Sequence, residues 1–440
     1  MKDNIKICAC GTCGDNAQYN LFEDGTLIIL GNSDMFDYDY INQSPFSNTN
    51  KIKKVIIENG IKSIGDSAFE HCSLTQIEIA PSVTKIGEYA FCRCEFLTSI
   101  TIPNGVKEIA PWAFYDCKSL KSIKLSDSIT VVNEYTFRKC KYLNTIFVSK
   151  SINEIENNYV FSECESLRAI EVDENNKFYK SIDGVLYDKN LTTLIYCPSA
   201  KTSIQIPDSI TQIADRAFCG CEHIKSITIP NNITKIGSEA FRGCKSLISI
   251  NIPDGVQEIE EYTFEGCESL TSIIIPNSVI ETQKLAFFNC KSLSLITLPL
   301  NLKIIEHGSF CNCESLKSVK LPDNLNSIEQ YAFCDCTNLS SIKIPNNVTK
   351  IEFGAFINCK KLKSIIISNN IKTISHLAFY NCQSLTTITI PNSVIEIGDR
   401  IFDDCTSLTS IFVTHETMKK FEETLNKYNH ALKVIKSTSK

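Results

Sequence analysis

A chain of 440 residues is long enough for two or three globular domains, and its 44 basic against 50 acidic side chains, a formal net charge of −6, exclude a basic footprint for nucleic acid or an anionic membrane. Twenty-two cysteines raise the question of a disulfide framework, which their spacing has to answer. No apolar run approaches the length of a membrane-spanning helix. The opening stretch MKDNIKICACGTCGDN holds no apolar core of signal-peptide length, so the sequence reads as soluble and not exported by the usual route.

Residues 1–50 lack an obvious repeat and are predicted to form an N-terminal β-rich capping module. Within it, 19–21 and 26–30 flank Glu23-Asp24-Gly25 in a strand–turn–strand pattern. Such a module would cover the apolar face of the element that follows. Cys8, Cys10 and Cys13 form a C-x-C-x-x-C triplet without the second ligand pair of a zinc site, so no metal is expected there.

From residue 51 one line recurs. At Cys221 it reads CEHIKSITIPNNITKIGSEAFRG, at Cys244 CKSLISINIPDGVQEIEEYTFEG. The template C-x-x-L-x-x-I-x-I-P-x-x-V-x-x-I-x-x-x-A-F-x-x is 23 residues long, a period that denotes a solenoid. Fourteen phenylalanines from Phe69 to Phe402 are each followed three residues later by a cysteine, from Cys72 to Cys405. In the line from Cys221, Ile227 and Ile229 share one face of a strand while Ser226 and Thr228 face outward. Pro230 ends the strand because it cannot donate to a ladder, and Asn231-Asn232 turn the chain. Ile233, Ile236, Ala240 and Phe241 then return to the interior. One such coil cannot bury these side chains alone; stacked neighbours can. Cys221, Cys244, Cys267, Cys290, Cys313, Cys336, Cys359 and Cys382, with Phe241 and Phe264, are therefore read as structural columns, the cysteines as a ladder of buried, reduced thiols.

The chain divides by this pattern into a first array (51–172), an insertion (173–203) and a second array (204–413). The step from Phe161 to Phe218 is 57 residues instead of 23. Its extra chain predicts a hairpin, 185–187 with 194–196 around Asp188-Lys189-Asn190, as a splice between arrays or as a surface that carries contacts. The outward strand columns are hydroxyl-rich, with a few apolar exceptions. Phe147, Ile274, Leu295 and Ile366 on the strands, and Tyr187 and Tyr196 on the hairpin, are the candidate partner contacts. In the last segment, 414–440, Met418, Phe421, Leu425, Tyr428 and Leu432 are spaced as one face of an amphipathic helix, predicted to cap the last coil or to bind a partner.

The motif SLTSITIP…V…IG…AF…C resembles the leucine-rich repeats of BspA-like surface antigens over residues 51–413. The stretch CGDNAQYNLFEDGTLIILGNSDMFDY resembles the module that precedes those repeats, and DGVLYDK…TTLIY resembles an insertion found within such arrays. The resemblance implies a mainly β, right-handed leucine-rich-repeat solenoid of about 14 coils with a parallel sheet of short strands on its concave side. It also implies adhesion or protein binding, with a host or extracellular-matrix protein as partner, at the cell surface and without a catalytic site. The missing signal peptide favours instead an intracellular structural or assembly scaffold, and the two stay open at this level.

No chemistry competes with a binding role. The six histidines fall in no metal-ligand spacing, and no phosphate-binding, dinucleotide or nucleophile-elbow motif occurs. No enzymatic activity, cofactor or metal is expected. Cys92, Cys219, Cys311 and Cys334 stand two residues before a column cysteine; Cys311 and Cys334 share one place in adjacent coils, where they would pair only if oxidised.

Overall fold

The computed structural model describes residues 6–157, 159–420 and 433–436, and its chain falls into two compact units, Met1–Lys201 and Thr202–Lys440. Each unit is a β-solenoid whose coils repeat the 23-residue line. The strand with the I-x-I pattern is paired in parallel with the same strand of the next coil. In the first unit Ser122–Lys124 lies between Ser99–Thr101 and Thr145–Val148, with Ile123 opposite both Ile100 and Ile146. Ile123 is buried while Ser122 and Lys124 are exposed. A slip of one residue would turn the isoleucine column to solvent, so the pattern itself locks the register.

After the strand, the proline carbonyl accepts the N–H three residues on, as from Ile233 to Pro230 at 3.1 Å. The chain then makes a second short strand, beyond what the sequence reading anticipated. Lys85–Ile86 pairs in parallel with Ser63–Ile64 and Glu108–Ile109, and Lys235–Ile236 with Gln212–Ile213.

The Ala-Phe turn closes the coil with two left-handed residues, one two before the phenylalanine and one two after. The first column holds Tyr89, Trp112 and Tyr135 (φ 54°, 55° and 58°), residues for which this conformation is unfavourable. Ladder bonds hold them there, such as Trp112 N–H to the Glu134 carbonyl at 3.3 Å. Their rings also stack, Tyr89 on Trp112 at 5.4 Å and Trp112 on Tyr135 at 4.7 Å. In the second unit the second column is Gly220, Gly243 and Gly266, then Asn289, Asn312, Asp335, Asn358, Asn381 and Asp404, residue types that adopt positive φ most readily; in the first unit it is His71, Arg93, Asp116, Lys139 and Glu163.

Inside each unit the phenylalanines form a continuous stack. From Phe218 to Phe402 successive ring centroids are 5.1–5.9 Å apart and their planes lie within 18°. The cysteine column has a specific partner: from Cys94 to Cys164 and from Cys244 to Cys405, each thiol of the column donates to the carbonyl of the phenylalanine one coil back. Cys94 to Phe69, Cys267 to Phe241 and Cys382 to Phe356 measure 3.1, 3.2 and 3.3 Å. The column thus demands a small side chain that is apolar enough for full burial yet carries a donor, which cysteine supplies. Burial pushes the Cys94, Cys117 and Cys140 thiols well above the ordinary range and Cys164 up to about 12.

Three places depart from the sequence reading. First, the stacking begins one coil before residue 51. Phe46, 23 residues ahead of Phe69, stacks on it at 5.4 Å and meets the Tyr19 edge at 5.0 Å. Asn48 has the left-handed φ of 53°, and Thr49 stands where the cysteine should be. The cap itself has three strands, Ile7–Gly14, Ala17–Phe22 and Thr26–Gly31, antiparallel to one another; the last is parallel to Lys54–Ile57 of the first coil. Cys8 and Cys10 on its outer strand are exposed while Cys13 is buried.

Second, the insertion is a three-stranded meander, Tyr179–Ile182, Val185–Asp188 and Thr193–Tyr196. Its first turn is Asp183-Gly184 with positive φ at both residues, the geometry that a two-residue hairpin favours. Third, the last coil is followed by a strand as well as by a helix. His415–Lys420 is helical, with Thr414 Oγ1 accepting the Thr417 N–H at 3.3 Å. Lys433–Lys436 then runs parallel to Ser410–Val413. Of the five residues expected on the helix face, Met418 is half-buried, and Phe421, Leu425, Tyr428 and Leu432 lie outside the described residues.

Candidate binding face

The ridge that follows the cysteine column is charged but internally neutralised. Lys245 pairs with Glu222 at 2.6 Å and Lys291 with Glu268 at 3.2 Å, each across one coil step. Beside it, Arg242 bridges Glu239 and Glu265 at 2.7 Å each, and Glu239 is also paired with Arg216. A ligand approaching this ridge meets charges already satisfied within the solenoid.

The outward face of the I-x-I strands is different. In the second unit it presents Ser226, Ser249, Ser272, Ser341 and Ser364 in one exposed column. Three aliphatic side chains break this lattice: Ile274, Leu295 and Ile366, exposed by 69, 59 and 61 %. The parallel register sets Leu295 opposite Ser272, and Ile274 opposite Thr297, so the two aliphatics are diagonal neighbours on adjacent coils. Ile274 lines an open depression of about 490 Å³ together with Asn251, Asp254 and Asn277.

The depression is rigid for a local reason. Asn251 donates its Nδ2 to the Ile229 carbonyl at 2.9 Å and accepts the Ile229 N–H at 3.0 Å, completing a ladder that the two-residue strand Ser226–Ile227 leaves short. Asn277, which lines the depression, accepts the Leu300 N–H at 3.0 Å and so ties the backbone of that exposed leucine to the neighbouring coil. A second depression, of about 390 Å³, carries Lys320, Lys343, Asp323 and Ile366, with Lys343 opposite Ile366.

The other sequence candidates fare differently. Phe147 is half-buried on its strand, with the Lys124 ammonium 5.2 Å from its ring centroid. Tyr187 and Tyr196 are not surface residues: both are 1 % exposed. Tyr196 packs on Phe161 at 5.4 Å and donates its hydroxyl to the Phe161 carbonyl at 2.9 Å, taking the place of the next coil's phenylalanine and thiol together. The meander is therefore part of the first unit's core at this end, and Tyr187 and Tyr196 cannot touch a partner. Sequence reasoning also missed Leu300 and Ile280, exposed by 62 and 60 %. Ile280 follows the repeat Val279 where other coils carry Thr234, Gln257 or Lys303, so a column-by-column scan would have found it.

The thiol column makes a direct test. Alkylation of the native protein should reach Cys8 and Cys10, while Cys267, Cys290 and Cys359, all fully buried, react only after unfolding. Rapid native modification of those three would mean that the coils open.

Parallel coils of 23 residues with a buried apolar column on each strand define a leucine-rich-repeat solenoid. The sequence matches the BspA type leucine rich repeat region over residues 33–110, 84–202, 190–317 and 303–433, and the chain belongs to that family. The first match reaches back to residue 33, in accord with the coil at Phe46. Among solved structures, a leucine-rich repeat protein from Eubacterium ventriosum is similar with 26 % identity and a TM-score of 0.61, over 90 % of this chain and 95 % of that one. A leucine rich cell surface protein from Faecalibacterium prausnitzii is 26 % identical with a TM-score of 0.48, over 83 % of this chain and 96 % of that one. The pneumococcal vaccine antigen PcpA is 19 % identical with a TM-score of 0.48, over 99 % and 100 %. No curated protein matches the chain. Among the described residues no helix is long and apolar enough to cross a membrane.

Proposed function

We propose that the chain is a non-enzymatic scaffold that binds a protein ligand on the outward strand face of its second unit, as a BspA-like surface antigen or adhesin. The observation that carries this reading is exposed Ile274 on an open depression, with exposed Leu295 diagonal to it on the adjacent coil, in an otherwise hydroxyl-lined face. Covering one such side chain contributes about 1.5–3 kcal/mol, so two or three anchors with hydrogen bonds from the serine column make a credible interface centre. Lys320, Lys343 and Ile366 extend the face with positive charge, which suits an acidic stretch of the partner.

The test is binding of purified protein to a panel of extracellular-matrix proteins. The double variant Ile274→Asp/Leu295→Asp should lose at least about tenfold in affinity, while Ile395→Asp, an exposed aliphatic on another column, should not. Equal loss in both, or none in the first, removes the strand face from consideration.

A second reading, an assembly scaffold inside the cell, draws support from the 22 cysteines, whose repeat column is buried as thiols that donate to backbone carbonyls. Such a thiol inventory suits a reducing compartment. Protease shaving of intact cells separates the two: removal of the protein supports the surface antigen, and full protection supports the internal scaffold.

A further inference from the structure

The residue directly after the repeat phenylalanine varies freely along the chain: Glu70, Tyr115, Arg138, Arg242, Phe288, Ile357. Cysteine fills it in two successive coils only once, at Cys311 and Cys334, and the solenoid stacks these two side chains. The residue after Cys334 is Asp335, one of the left-handed column, with φ 56°. The two Sγ atoms and a carboxylate oxygen of Asp335 lie within 4.8 Å of one another. Cys334 is buried, whereas Cys311 and Asp335 are half-exposed, so the group opens to solvent on one side.

We propose that Cys311, Cys334 and Asp335 form a binding site for one thiophilic divalent cation of the zinc class, with water as the fourth ligand. A tetrahedral ion with sulfur at about 2.3 Å and oxygen at about 2.0–2.2 Å needs ligand atoms roughly 3.5–3.8 Å apart, so closing the present group requires only small side-chain rotations. The ligand set is two soft thiolates with one carboxylate, which favours zinc or cadmium over magnesium or calcium.

The backbone beneath is already fixed. Asn312 N–H bonds the Cys334 carbonyl at 2.9 Å, and Asp335 N–H bonds the Ile357 carbonyl at 2.8 Å. The carboxylate is aimed as well. Asn358 Nδ2 donates to Asp335 Oδ1 at 2.8 Å, which leaves Oδ2 facing Cys334 Sγ at 3.1 Å. This is the outer-shell hydrogen bond that metal-ligating carboxylates ordinarily have. Binding takes both sulfurs as thiolates, so the thiol protons pass to solvent as the ion enters.

The experiment uses the full chain, reduced, in a Cys8→Ser/Cys10→Ser background that removes the exposed terminal thiols. Cadmium alone is titrated and sulfur-to-metal charge-transfer absorption is read in the ultraviolet, with zinc as competitor. One ion per chain is expected. Cys311→Ser and Cys334→Ser should each abolish the band, and Asn358→Ala should weaken binding by about tenfold or more through the carboxylate alone. Cys219→Ser, at an isolated cysteine of the same column, should leave it unchanged. Should the serine variants misfold, alkylation of the unmutated pair gives the same answer: cadmium should protect Cys311 and Cys334, read by peptide mass. No uptake, uptake indifferent to Cys311 and Cys334, or unprotected thiols in the presence of cadmium overturns the site.

Discussion

Raising the pH from 8 to 10 should unfold the second unit under conditions in which it is stable at neutrality. Burial holds the Cys267, Cys290, Cys313, Cys336 and Cys359 thiols above their ordinary range. In the unfolded chain the same thiols ionise near pH 8.5. Between those limits the folded state binds more protons than the unfolded one, so stability falls as pH rises. The contribution is complete below about pH 8 and is lost progressively above it. Each thiol accounts for about 1.4 kcal/mol per pH unit, and five acting in one cooperative unit for about 7 kcal/mol per pH unit. Urea unfolding in a reductant at pH 7.5, 9.0 and 10.0 measures it. The variant Cys290→Ala/Cys313→Ala should be less stable at pH 7.5 yet show a slope shallower by about 2.7 kcal/mol per pH unit. An unchanged slope would show that the thiols do not titrate with unfolding.

Phe287→Ala should cost the second unit about 3–5 kcal/mol. Phe287 is 0 % exposed and stands between Phe264 at 5.3 Å and Phe310 at 5.5 Å. Its removal leaves a void in a column where both neighbours are themselves held by rings beyond them, so little collapse can fill it. The double variant Phe264→Ala/Phe287→Ala should cost less than the sum of the single variants by at least about 0.5 kcal/mol, because the shared stacking contact is lost only once. Urea midpoints at pH 7.5 decide it, and a cost below about 1 kcal/mol for the single variant would mean that the coil repacks around the vacancy.

Nearly all of the coil was legible because the information is periodic. The I-x-I strand, the proline turn, the phenylalanine stack and the cysteine column each repeat at 23 residues, and a repeat stacks on itself in only one register. Legibility failed where a coil departs from its template. Phe46 sits at the right step but is followed by Thr49 in place of cysteine, so the pattern alone assigns this first coil to the cap. Tyr196 lies 35 residues after Phe161, outside any register, and only the fold shows that its ring and hydroxyl together end the ladder. The hairpin around Asp188 is legible and present, and Asp183-Gly184 is a second local turn signal that adds Tyr179–Ile182 to it.

For the binding face, Ile274, Leu295 and Ile366 were readable as apolar residues in outward columns, since strand alternation alone says which side they take. The sequence by itself determined the solenoid, its period and its inward and outward columns, because these follow from short-range alternation and from a repeat that must match its neighbour. Tertiary structure alone decided which outward residues share a depression, that Tyr187 and Tyr196 are interior, and that Asp335 joins Cys311 and Cys334. The repeat alone stacks Cys311 on Cys334, but the approach of the Asp335 carboxylate, the shared depression and the burial of the two tyrosines depend on side chains meeting across a coil step or a meander, which strand alternation does not specify.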